Sequence, residues 1–244
     1  MKVLISGKGG SGKSTIVVLL AKELAKKHKV LVVDNDESNS LLPHQLGVSP
    51  PTDFMNYFGG KKVLFEKMES LQKGWKLDNL PNEYLSQAQG KNLRLLTMGK
   101  IREYGEGCAC PMNVLSSRFL ENVSLDENEF LIVDTDAGIE HFGRRVENGI
   151  DLILVVVGPS QESVTLAHKI SEFGEQISRP VYYVLNRVDE ESTDILLNAL
   201  DRGKVMAIIL EDKRIFKSSL TGKELDFSLK GVEELAAFLE VAAR

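Results

Sequence analysis

Apolar runs recur along the chain at residues 3–5, 30–33, 93–96, 130–133, 152–157, 182–185 and 205–210, broken within only at Arg94 and each closed by turn residues. A strand with one wet face alternates apolar and polar positions. Runs without alternation belong to strands covered on both faces, as in a parallel sheet. Between them, apolar positions fall at helical spacing over 15–27, 112–122, 163–176, 192–200 and 232–243. Strand–helix alternation of this kind predicts right-handed crossovers. The expected fold is a single doubly wound α/β domain over residues 1–244, with a mostly parallel central sheet and ligands at the carboxyl ends of its strands. Residues 43–90 break the rhythm. They read as a long irregular insertion carrying Pro50-Pro51, Gly59-Gly60, a short amphipathic helix near 63–71 and the only tryptophan, Trp75. Loops of that length are usually functional, which points this one toward a partner.

Composition narrows the setting. With 244 residues and 43% hydrophobic content, the chain can bury a sizeable core. A net charge of −5 gives no sign of a basic nucleic-acid surface. No apolar stretch approaches the ~20 residues of a membrane span. Met1-Lys2 runs directly into the first apolar run, leaving no room for a signal peptide. The expectation is a soluble cytoplasmic protein with neither nucleic acid nor membrane as partner. Two cysteines one residue apart make no secreted disulfide framework.

The first run leads into Gly7-Lys8-Gly9-Gly10-Ser11-Gly12-Lys13-Ser14-Thr15 and then into a helical pattern. Strand, glycine turn and helix together form a phosphate-binding loop. Glycines let successive backbone N–H groups curl around phosphate oxygens, and the helix N-terminus faces the same anion. Gly9, Gly10, Ser11, Gly12 and Thr15 supply the cradle. Lys13 reaches the β- and γ-phosphates, and Ser14 offers its hydroxyl to Mg²⁺. Lys8 adds a second ammonium directly after the first glycine. With it the loop resembles the deviant Walker A motif of the MinD/ParA/ArsA/nitrogenase-iron-protein class of P-loop NTPases. That resemblance implies an ATP/ADP-binding, Mg²⁺-dependent ATPase that works as a homodimer, Lys8 reaching across to the partner's nucleotide. A second cation beside a triphosphate also makes electrostatic sense on its own.

Further residues complete the site. Asp34 and Asp36 end the second run; the resemblance gives Asp36 the orienting of the attacking water and Asp34 a part in metal hydration. Glu37 stands where that class often has proline. Asp134 ends the fourth run as a Walker B carboxylate would, holding Mg²⁺ through its water shell. Gly138 lets the following segment approach the γ-phosphate. Asn186 resembles the class's adenine-reading asparagine, although an asparagine ending a strand is also a common turn residue. Leu210-Glu211-Asp212 replaces the proline-containing version of a second base contact.

Cys108-Ala109-Cys110 follows the third run, flanked by Gly105, Gly107 and Pro111. Two thiols supply half of a four-ligand soft-metal site, and a two-fold dimer axis supplies the other half. A strained disulfide and two inert buried thiols are the bland readings. Together with residues 134–144, Asp-Thr-Asp-Ala-Gly-Ile-Glu-His-Phe-Gly-Arg, the cysteine pair and the loop resemble the CooC family. Those ATPases help insert nickel into carbon monoxide dehydrogenase. The resemblance implies Ni²⁺ or Zn²⁺ held between Cys108 and Cys110 of both protomers, with carbon monoxide dehydrogenase or the related acetyl-CoA synthase as client. His141 is a conceivable extra ligand, although a histidine in a helix is more often structural or surface-exposed. Two rivals share the scaffold. An iron–sulfur carrier ATPase usually shows CxxC spacing. A MinD/ParA-like positioning ATPase needs a basic lipid-binding tail or DNA face, whereas the tail here is acidic.

Overall fold

The computed structural model describes residues 1–60, 63–64, 74–88, 92–101, 110–139 and 149–244. Its main sheet has eight strands. In chain order these are β1 (Lys2–Gly7), β2 (Lys29–Asn35), β4 (Leu85–Gln87), β5 (Leu93–Thr97), β7 (Glu129–Thr135), β8 (Leu152–Val157), β9 (Val181–Val188) and β10 (Val205–Leu210). They lie in the order β10-β9-β8-β1-β7-β2-β5-β4. Every pairing is parallel except that of β4, which runs antiparallel to β5 at one edge. A separate parallel pair joins β3 (Trp75–Lys76) to β6 (Val123–Ser124). The expected α/β doubly wound architecture is the observed one.

The apolar runs serve both faces. Leu4, Leu31, Val33, Leu131, Val133 and Ile153 point to one core, Val3, Ile5, Val32, Ile132, Leu152 and Leu154 to the other. Helices α1 (Lys13–Leu24) and α7 (Lys230–Ala242) cover the second face, with Leu20, Leu24, Leu235 and Leu239 fully buried. On the first face lie α3 (Cys110–Asn122), α4 (Gln161–Gln176) and α5 (Glu190–Ala199).

All five expected helices begin two residues before the sequence expectation, and for α4 and α5 the reason is a side-chain cap. Ser160 is the N-cap of α4 and accepts from the Ser163 amide; Asp189 caps α5 in a reciprocal box with Ser192. Ser163 and Ser192 therefore stand at the third helical position, not at the boundary. The sequence reading missed a nine-residue helix, α6 (Lys213–Thr221), opened by Asp212 and closed by Gly222 in the left-handed region.

The described part of 43–90 is built into the domain. It holds α2 (Leu42–Leu46), a 3₁₀ turn at Phe54–Phe58, β3 and β4. Phe54 is fully buried and its ring meets those of Phe58, Trp75, Tyr84 and Phe119 edge-on at 5.6–5.9 Å. Most of the expected helix near 63–71 lies outside the described residues. Among the described residues no helix is long and apolar enough to cross a membrane.

Candidate nucleotide-binding site

β1 lies between β8 and β7, where the winding reverses, and the loop after it sits at the carboxyl edge. Gly9 and Gly10 form the exposed tip of that loop; Ser11, Lys13 and Thr15 are buried beneath it. Gly12 is left-handed, at φ 92°, and a Cβ there would lie 2.3 Å from Asn186 Nδ2. Only glycine satisfies both demands. Gly12 caps α1 without a side-chain hydrogen bond, so the first helical N–H groups are left to an incoming acceptor.

Lys13 folds back over the loop, its Nζ 3.5 Å from the Lys8 carbonyl. Burial lowers its pKa; the carboxylates of Asp134, Asp36 and Asp136 oppose that. An ammonium so placed gains from an anion brought beside it. Lys8 is half-exposed and pairs in its own chain with Glu162 in the first turn of α4.

The carboxylates come from adjacent strand ends. Asp34 on β2 and Asp134 on β7 are register partners, and both are fully buried. Burial, reinforced by the Asp34 charge, pushes Asp134 up to about 7, with the Ser14 hydroxyl and Lys13 opposing. Neither Asp134 oxygen has a well-aligned hydrogen-bond partner. Burial likewise raises Asp34 to about 6, opposed chiefly by Lys100, whose Nζ lies 2.7 Å from Asp34 Oδ2. Asp36 accepts through Oδ1 from the Ser38 amide and hydroxyl at 2.9 and 2.7 Å and from the Asn39 amide at 3.2 Å. Asn39 Nδ2 in turn donates to Ser14 Oγ at 2.9 Å. Gly138 approaches from β7, its N–H donating to the Gly7 carbonyl at 3.3 Å with φ 95°.

Asn186, at the end of β9, is buried and donates through Nδ2 to the Ser11 carbonyl at 2.7 Å; its Oδ1 has no partner. Arg187 donates to the Gly10 carbonyl at 3.1 Å. In this structure, then, Asn186 braces the phosphate loop, a role its position in the sequence did not suggest. Cys108 and His141 lie outside the described residues, and Cys110 is described only as the backbone that opens α3. Three residues on, Asn113 Oδ1 accepts from Asn35 Nδ2 at 2.9 Å, in a buried contact between α3 and the end of β2.

The donor set fits a magnesium nucleotide: N–H groups and Lys13 for phosphate, and one hydroxyl with an unsatisfied buried carboxylate for a hydrated cation. Sequence reasoning missed Asn39, Lys100, Asn113 and Glu162. Each acts through a tertiary contact; only Lys100, just past the strand that neighbours the acidic end of β2, left a signal that sheet order would have exposed.

The fold and this edge define a nucleotide-binding class. Residues 2–225 match the family model of CbiA, the CobQ/CobB/MinD/ParA nucleotide binding domain, and the chain belongs to that family. It is a MinD/ParA-type P-loop ATPase. It is 45% identical over 249 residues to an uncharacterized ATP-binding protein of Methanocaldococcus jannaschii, covering 98% of this chain and 99% of that one. It is 27% identical over 235 residues to the carbon monoxide dehydrogenase accessory protein CooC of Rhodospirillum rubrum, covering 91% and 88%. Among solved structures, the septum site-determining protein MinD of Pyrococcus horikoshii, complexed with Mg-ADP, is similar in fold. Its TM-score is 0.75 at 18% identity, covering 99% of this chain and 96% of that one.

Proposed function

We propose that the protein is an ATP-hydrolysing, homodimeric metallochaperone. It carries Ni²⁺ or Zn²⁺ between Cys108 and Cys110 of both protomers and assists nickel insertion into carbon monoxide dehydrogenase or the related acetyl-CoA synthase. The similarity to CooC supports the client. The observation that carries the link between nucleotide and cargo is the Asn35–Asn113 hydrogen bond. It ties the helix opened by Cys110 to the strand end bearing Asp34 and Asp36.

ATP binds with its phosphates against the N–H groups after Gly9 and the Lys13 ammonium. Asn186 keeps an acceptor, Oδ1, for the exocyclic amine of adenine. Ser14 and Asp134 would hold Mg²⁺, which when bound would neutralise phosphate charge. Asp36 orients a water and takes its proton as the water oxygen bonds to the γ-phosphorus. The bond from that phosphorus to the bridging oxygen breaks, leaving ADP and phosphate. Lys8 of each protomer stabilises the charge in the other's site. Dimer closure sets the spacing of four thiolates, and hydrolysis loosens it for delivery.

Equilibrium dialysis in reducing, oxygen-free buffer tests this, with Ni²⁺ and Zn²⁺ and with and without nucleotide. About one ion per two chains is expected, with affinity that differs between ATP and ADP, and none once both cysteines are serine. Full uptake by the serine variant, or none by the natural chain, would leave an ATPase without this cargo.

A further inference from the structure

Lys100 follows β5 and is nearly buried, with three acceptors around its ammonium. These are Asp34 Oδ2 at 2.7 Å, the Asp36 carbonyl at 2.5 Å and the Asn39 carbonyl at 2.6 Å. The ammonium forms an ion pair with the carboxylate and hydrogen bonds with the two carbonyls. Neutralising Asp34 needs only the ion pair. The two hydrogen bonds seize the backbone of the segment that carries the water-orienting carboxylate. The neighbouring backbone runs along the same track: the Met98 amide donates to the Asp34 carbonyl at 3.0 Å and that of Ile101 to the Glu37 carbonyl at 3.3 Å. From Asn39 the chain of contacts continues to Ser14 Oγ in the phosphate loop.

We infer that Lys100 is a positioning residue of the ATPase, strapping residues 34–39 against the phosphate edge through the Asp36 and Asn39 carbonyls. Among the described residues the partners of its ammonium all lie on residues 34–39, so the inference rests on the ATPase class and not on the metal cargo. Hydrolysis depends on where Asp36 stands, and a shift of ~1 Å in such a group costs about a hundredfold in rate. The groups that meet phosphate, the N–H groups at the start of α1 and Lys13, belong to the loop after β1, and Lys100 bonds none of them.

Lys100→Met alone would strand a buried carboxylate and risk the fold. The test therefore compares Asp34→Asn with Asp34→Asn/Lys100→Met, in which that charge is absent. Two measurements are made: steady-state ATP hydrolysis, and amide hydrogen exchange at Ser38 and Asn39 in nucleotide-free protein. The double variant is expected to lose at least ~10-fold in kcat with KM for ATP within about twofold. Its Ser38 and Asn39 amides should exchange about tenfold faster, while those of β1 keep their rates. Equal kcat and equal exchange in the two variants would overturn the strap and leave Lys100 a countercharge. If Asp34→Asn is itself inactive, the exchange comparison decides alone. A natural chain that hydrolyses no ATP would sink the enzyme reading, and exchange would still report on the strap.

Discussion

Asp34 and Asp134 face each other across adjacent strands in a dry part of the molecule, and one ammonium, Lys100, serves the first of them. Both carboxyls are raised above their unfolded value of 3.8, to about 6 and about 7. Between the unfolded value and those, the folded state holds more protons than the unfolded one, so stability falls as pH rises through that window. The groups held low by partners, such as Asp212 beside Arg214, lose their contribution only as the medium becomes more acid than the unfolded carboxylate range. Nucleotide-free protein is therefore expected to melt lower at about pH 8 than at about pH 5.5, by an amount worth a few kcal/mol. Asp134→Asn should flatten that slope and raise the melting temperature at the higher pH. Thermal unfolding of the two proteins across the range checks this, and parallel slopes would refute it. The stored cost has a functional reading, since a cation at Asp134 relieves it.

At the scale of elements, the apolar runs foretold every long strand; the central ones are buried on both faces, whereas β5 carries Arg94 and the edge strand β10 exposes Ile208 and Leu210. β4 was not foreseen: it is three residues long at an edge and carries no run of its own. Residues 43–90 were the larger surprise. Their glycines and prolines read as loop, yet Phe54, Met55, Phe58, Leu77 and Leu80 join the core beneath the sheet. Aromatic residues in irregular backbone carry no periodicity, so only the fold reveals where they go. Phe54→Ala should accordingly cost about 3–5 kcal/mol, a core-sized loss read in urea as a lower midpoint at unchanged slope. A change under about 0.5 kcal/mol, the size of a surface substitution, would return the segment to the status of a loop. The cap of α4 offers a smaller check: Ser160→Ala removes the acceptor of the Ser163 amide and should cost about 1 kcal/mol.

For the whole molecule, the phosphate loop was legible because its chemistry is local: nine glycine, lysine and hydroxyl positions in consecutive order, Gly7 to Thr15, dictate it. What braces the loop was not, since Asn186 and Arg187 arrive from a strand 175 residues away in the chain. The same holds for Lys8. Its place after Gly7 implies service to a second protomer, while its contact in the single chain is with Glu162, itself held ionised by that ammonium. An exposed pair of this kind is weak, so a triphosphate with several charges outbids it easily. Docking of two protomers over ATP should then draw Lys8 away from Glu162, and the two groups make opposite predictions. Lys8→Ala, placed in an Asp36→Ala background to stop turnover, should stay monomeric in sedimentation velocity with Mg-ATP, whereas Asp36→Ala alone dimerises. Glu162→Gln in the same background should associate slightly more tightly, because the competitor is gone. Equal association constants in all three would mean that Lys8 has no part in joining protomers, and that its bond to Glu162 is a surface ion pair and nothing more.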